Sequence, residues 1–235
     1  MIKAGSFSRL LDFEECPLRA KFKYVDRIPE PDRGPPPKGK KEWPNDRGSR
    51  IHSEAEQFIK GELPTLPADL ANFSIELHRA RELYEQGRVE TEEMWGFDKN
   101  WIPCASDDHK RVRFRIMADL KVDLEEGHAL VVDFKTGKRW GNEVKHEQQK
   151  QTYALGLFRR EPQLAKVTTE LWYLDLPQED VFSAVLTRSQ GVVLLRALDA
   201  RLKRMLEATH FPPRPSKFNC KFCPYREETC THAVN

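Results

Sequence analysis

Nothing in this sequence is built to span a bilayer. Its longest apolar runs, such as Val192 to Leu195, fall far short of the roughly 20 residues that a membrane helix needs. The opening stretch, MIKAGSFSRL, lacks the apolar core of a signal peptide. A soluble, cytoplasmic protein with no membrane partner is therefore expected. A charge excess is also missing: the formal net charge is only +2, so the overall balance does not announce a nucleic acid. No G-x-x-x-x-G-K-[ST] segment occurs, which excludes a nucleotide-driven motor within the chain, and there is no internal repeat. Cysteine is scarce and odd in number, at five. Cys16 and Cys104 stand apart while Cys220, Cys223 and Cys230 crowd the C-terminal end, a clustering that argues for metal rather than disulfides.

What is present is local. Basic residues gather at Arg9, Arg19, Lys21 and Lys23, at Lys38, Lys40, Lys41, Arg47 and Arg50, and at Lys110, Arg111, Arg113 and Arg115. Any one such group is more often a solvated face. Beside an acidic site, however, basic patches are what an enzyme acting on phosphodiesters requires.

Ser6 or Ser8 can cap a first helix carrying Leu10, Leu11 and Phe13, and Cys16-Pro17 interrupts it. Residues 29–45, rich in proline, read as a mobile loop or lid. A helix starting at Asp46 or Ser49 places Ile51, Ala55, Phe58 and Ile59 on one face, with His52 at its edge. Another carries Leu70, Phe73, Leu77, Ala80 and Tyr84. Val89 to Phe97 is strand-like, 98–110 a loop, and Arg113 to Lys138 a hairpin. A helix over 143–160, strands over 167–174 and 181–187, and a last helix capped by Ser189 complete the order. This predicts an α/β protein: a mixed central β-sheet flanked by helices, in one domain over residues 1–235 with its core sheet within 89–187.

The hairpin carries the strongest chemical signal. Asp119 lies on its first strand, and Asp133 and Lys135 on its second, two apart and so on one side. Two carboxylates suit Mg²⁺ or Mn²⁺ and leave places for water and phosphate, while a lysine beside them can orient the water. A D-x-K alone is more often a surface ion pair. Asp119 and the apolar run leading into Asp133 narrow that reading.

The order of Asp119, then VVDFKTGK (residues 131–138), then Gln149 and Tyr153 in QKQTY resembles the PD-(D/E)xK nuclease superfamily, in particular its RecB-type branch. One departure is Ile116, where the pattern has glycine. The resemblance implies a restriction-endonuclease-like core in which Asp119 and Asp133 ligate the catalytic ion, with the Phe134 carbonyl as a further ligand. It also implies that Lys135 positions the water, that Gln149 and Tyr153 reach phosphate or the lysine, and that His52 supports the metal. Glu92 would be a further ligand, with Glu90 and Glu93 as alternatives. Outside that set, His52 reads as a half-buried helix histidine and Glu92 as part of a solvated acidic strand.

The same branch implies that Cys16 joins Cys220, Cys223 and Cys230 around a [4Fe–4S] cluster, with residues 1–28 and 210–235 forming the cluster region. The competing reading is structural zinc, with Cys16 or His232 as fourth ligand; spacing alone does not choose. Cys104 stays outside either set. The expected function is a metal-dependent DNA exonuclease acting on single strands or duplex ends in recombination, replication or repair, of bacterial or phage origin. A CRISPR-adaptation-type trimming nuclease is the nearest enzyme alternative. A non-catalytic nucleic-acid-binding module and a zinc-stapled interaction protein are alternatives of other classes.

Overall fold

The structure, a computed structural model, describes residues 1–137, 139, 141, 143–177 and 181–234. The end of the expected hairpin at Lys138 lies outside them. The chain begins with a two-residue strand, β1 (Gly5–Ser6), and helices α1 (Phe7–Glu15) and α2 (Pro17–Lys21), the latter continuing into a π-helical turn. Ser6, not Ser8, caps α1, its hydroxyl accepting from the Arg9 amide. Helix α3 (Pro44–Ile59) starts earlier than Asp46 or Ser49, because Pro44 occupies a first-turn position where no amide donor is needed. The irregular segment thus ends at Trp43 rather than at residue 45.

Helix α4 (Ser74–Glu85) precedes strands β2 (Val89–Phe97), β3 (Pro103–Cys104), β4 (Phe114–Glu125) and β5 (His128–Lys135). The short β3 lies inside the segment expected to be only loop, pairing Cys104 with Gly96. Then come α5 (Glu143–Arg160), β6 (Lys166–Tyr173), β7 (Phe182–Thr187), α6 (Arg188–Leu206) and α7 (Lys217–Lys221). Thr187, rather than Ser189, caps α6: it forms a capping box with Gln190 that satisfies amides at both positions.

The strands order as β3-β2-β4-β5-β6-β7, with β1 beside β4. Only β1–β4 and β5–β6 are parallel, so this is a mixed, mostly antiparallel sheet. One face packs on α3 and α4 through Ile51, Ala55, Phe58, Ile59, Leu77 and Ala80. The other packs on α5 and α6 through Tyr153, Leu157, Leu198, Leu202 and Met205.

The sheet exchanges faces in its middle. Leu120 and Val122 lie under α3 and α4, whereas Ile116 and Ala118, of the same parity, lie under α5 and α6. A regular strand would keep all four on one side. The exchange falls where the β2–β4 ladder omits the pair Glu92 and Asp119 without changing register, from Thr91 opposite Leu120 to Glu93 opposite Ala118. Glu92 has φ 50°, a left-handed conformation that costs a non-glycine residue on the order of 1–3 kcal/mol. On the other side of β4, the β4–β5 ladder continues only to Leu120 opposite Val132. The strands therefore fork at Asp119.

Candidate active site

The fork gathers the charged side chains. At Asp119, Oδ2 accepts from the Phe134 amide at 2.5 Å, a backbone donor freed by the end of the ladder. Oδ1 lies 3.2 Å from His52 Nδ1, delivered by α3. The His52 ring packs edge-on against Phe134, whose side chain is buried on the α3 side. Glu92, turned inward by its unusual backbone, brings Oε1 to 3.7 Å from the same nitrogen, and this buried oxygen has no hydrogen-bond partner. Glu90 and Glu93 point elsewhere, both pairing with Arg160.

Asp133 is held from the α5 side. Tyr153 donates to its Oδ1 at 2.5 Å and Gln149 Nε2 donates to the same oxygen at 3.0 Å. Gln149 also donates to the Tyr153 oxygen at 2.7 Å and accepts from Lys135 Nζ at 3.0 Å. Lys135 Nζ stands 2.5 Å from Asp133 Oδ2 as an ion pair, yet that oxygen lacks hydrogen-bond geometry to any partner. Gln149 and Tyr153, four apart on one helix face, thus grip one carboxylate together.

Crowding buried charge shifts the titration of this cluster. Burial, with Asp133 close by, raises the Asp119 carboxyl to about 6, although His52 pulls the other way. Burial alone would lower the His52 imidazole, but Asp119 and Glu92 outweigh it and lift it to about 10. Burial and the neighbouring Asp133 push the Tyr153 hydroxyl well above its ordinary value, so it remains a donor.

Ligand atoms of His52, Glu92 and Asp119 all lie within 4.8 Å of one another. Asp133 borders this trio across the fork. Two buried carboxylate oxygens without hydrogen bonds, one on Glu92 and one on Asp133, fit the coordination of a hard divalent cation, which takes oxygen and imidazole donors.

Sequence spacing did not reveal what fixes the loop after Lys135. Asp175 accepts from the Gly137 amide at 2.6 Å and, through both oxygens, from Arg47 on α3 at 2.9 and 2.7 Å. Gly48 lets α3 approach: a Cβ there would stand 3.3 Å from Thr136 Oγ1. No local pattern signals a pair 128 positions apart. At Ile116, the missing glycine is compensated on the facing helix, where Gly156 makes room for the isoleucine.

Four of the cysteines meet away from the fork's acids. Cys16, Cys220, Cys223 and Cys230 line one cavity together with His232. Burial pushes the Cys223 thiol up, with Cys16 and Cys230 adding to it. Cys104 lies apart, on β3.

A mixed sheet that forks at an acid–lysine cluster has the architecture of a nuclease core. The model of the PD-(D/E)XK nuclease superfamily matches residues 4–230, and the chain belongs to that superfamily. No curated protein matches the sequence. Among solved structures, the chain is similar to SSO0001, at 14% identity and TM-score 0.43, over 99% of this chain and 88% of that one. It is also similar to a Eubacterium rectale protein carrying the provisional designation of exonuclease, at 14% identity and TM-score 0.49, over 99% and 91%.

Proposed function

We propose that this chain is a divalent-metal-dependent DNA nuclease that removes nucleotides from strand ends in recombination, replication or repair. The observation that carries the reading is the fork: His52, Glu92, Asp119, Asp133 and Lys135 converge from α3 and three strands. His52, Glu92, Asp119 and Asp133 would hold Mg²⁺ or Mn²⁺. Bound there, such an ion lowers the pKa of a coordinated water and offsets charge developing on the phosphoryl oxygens.

The chain's own groups do the rest. Lys135 donates to Gln149 and pairs with Asp133, and its remaining donor capacity can meet the attacking water or a phosphoryl oxygen. Tyr153 and Gln149 fix Asp133 Oδ1 and so turn its other oxygen into the fork. The Phe134 amide does the same for Asp119. Preorganisation of this kind lowers the barrier because no dipole has to move during reaction.

Cys16, Cys220, Cys223 and Cys230, which line one cavity, suit a thiolate-bound metal, and we read it as a [4Fe–4S] cluster, with structural zinc as the alternative that metal analysis separates. Its role is to join residues 1–28 to 210–235 within one nuclease domain; no redox chemistry is required of it.

Digestion of end-labelled single- and double-stranded DNA with Mg²⁺, Mn²⁺ or EDTA tests the reading. Cleavage is expected with either ion and not with EDTA, while circular single strands resist. Asp133→Ala is expected to bind DNA and not cut it. A wild-type protein inert in both metals would falsify the assignment.

A further inference from the structure

Two phenylalanines near the C-terminus stand in water. Phe218 is 73% exposed and Phe222 81%. They lie four apart, Phe218 on α7 and Phe222 directly after its end. This exposure does not come from a loose end. Asn219, between them, donates to the Glu15 and Arg214 carbonyls at 3.0 Å, and Cys220 is buried. The rings are thus held outward on a fastened helix.

Cations surround them. Lys221 Nζ lies 5.1 Å from the Phe222 ring centroid and Lys145 Nζ 5.9 Å from that of Phe218. Lys145 also lines a groove of about 500 Å³ whose wall includes Gln149 and Tyr153, the residues that grip Asp133. The groove carries Arg9, Arg115 and Lys145, the last also paired with Glu15, and no carboxylate lines the groove itself among the described residues. Lys145 therefore stands both on the wall of this groove and beside the Phe218 ring.

Building on the nuclease reading above, we propose that Phe218 and Phe222 form a base-stacking platform for a single DNA strand whose backbone follows this groove past Lys145. The chemistry selects that occupant. Aromatic faces interleaved with lysines bind unpaired bases, and a duplex keeps its base faces stacked away from such a platform. Acidic or apolar protein partners would not account for a groove lined by Arg9, Arg115 and Lys145 beside the residues that grip Asp133.

The test uses the full-length protein with Mn²⁺ and compares wild type with Phe218→Ala/Phe222→Ala. Both side chains are exposed, so the variant keeps its fold. For a long oligothymidylate, KM should rise on the order of tenfold or more with kcat unchanged. For a thymidine dinucleotide and for bis(p-nitrophenyl) phosphate, both parameters should stay at wild-type values. Phe218→Trp should restore KM, and its fluorescence should be quenched by oligothymidylate even in EDTA. An unchanged KM for the long strand overturns the proposal, as does an equal loss on the dinucleotide or a change of oligomeric state in its place. Failure of the wild type to hydrolyse any substrate overturns the nuclease reading instead, and the quenching experiment then still decides on the platform.

Discussion

Asp133 keeps its place through neighbours that do no chemistry themselves, and Tyr153 is the most exacting of them. Its hydroxyl is buried, raised well above its ordinary pKa, and donates to Oδ1 at 2.5 Å. Tyr153→Phe retains the ring but strips a donor from a buried carboxylate, a loss of about 1.5–3 kcal/mol for a hydrogen bond to a charged group. Urea unfolding should show a lower midpoint with an unchanged slope, and kcat should fall on the order of tenfold or more as Asp133 loosens. Wild-type kcat in this variant would remove Tyr153 from the positioning machinery.

His52 and Asp119 make the metal-free fold sensitive to pH. The His52 pKa is raised to about 10 in the fold, so its contribution is complete below its ordinary value near 6.5 and is lost as pH climbs through 10. The Asp119 pKa, raised to about 6, acts in the same direction: its contribution is complete below about 4 and is lost as pH rises through 6. Stability in EDTA should therefore decline from pH 6.5 to 9.5. A cation at the same position replaces the proton, so stabilisation by Mn²⁺ should grow over that interval. Urea midpoints across this range, with and without Mn²⁺, provide the check; a flat response in EDTA would contradict the assigned shifts.

At the scale of elements, the fork depends on two helices holding register against the sheet. Helix α3 is pinned by Arg47 to Asp175, which also accepts from Gly137 in the loop that follows Lys135. Asp175→Ala should lower kcat about tenfold to a hundredfold by freeing that loop, while Asp175→Asn, which keeps an acceptor, should recover most of it. Global stability should move by only about 1 kcal/mol, since Arg47 and Asp175 are both partly exposed. On the other face, a Cβ at Gly156 would come within 2.6 Å of Ile116 Cδ1. Gly156→Ala should cost about 1–3 kcal/mol by overpacking. Combining it with Ile116→Val should cost less than the two changes summed, a coupling that a double-mutant cycle measures.

These elements also show how far the sequence could be read. Asp133, Lys135, Gln149 and Tyr153 follow simple two- and four-residue spacings, so a pattern exposes them. The helix stripe of α3 is legible for the same reason. The face exchange at Glu92 and Asp119 is not, because alternation predicts a flat continuation and only the paired departure of two strands reveals the fork. Arg47, Asp175 and Gly156 are invisible too, since each matters only through a residue distant in sequence. The exposure of Phe218 and Phe222 runs against the rule that aromatics seek the core, and a sequence carries no sign of such an exception.

Across the whole molecule, the question is what holds the two ends together. Non-covalent ties are already in place: Arg214 donates to the Glu14 carbonyl at 2.6 Å, Asn219 to that of Glu15, and buried Tyr225 to that of Ile28. A cluster ligated by Cys16, Cys220, Cys223 and Cys230 would act differently from a disulfide. A disulfide persists on unfolding and restricts the unfolded chain, whereas a cluster is released, so its stabilisation is a binding free energy realised only in the fold. Anaerobically purified wild type should accordingly be coloured, contain iron and sulfide, and unfold irreversibly once the cluster is lost. Cys16→Ser should be colourless, melt at a lower temperature, and be clipped first in residues 210–234 under limited proteolysis. Because the fork lies in the central sheet and the ties from Arg214, Asn219 and Tyr225 remain, Mn²⁺ binding should survive in this variant. A colourless wild type with stoichiometric zinc would refute the cluster, and loss of Mn²⁺ binding in Cys16→Ser would show that the staple and the fork are one cooperative unit.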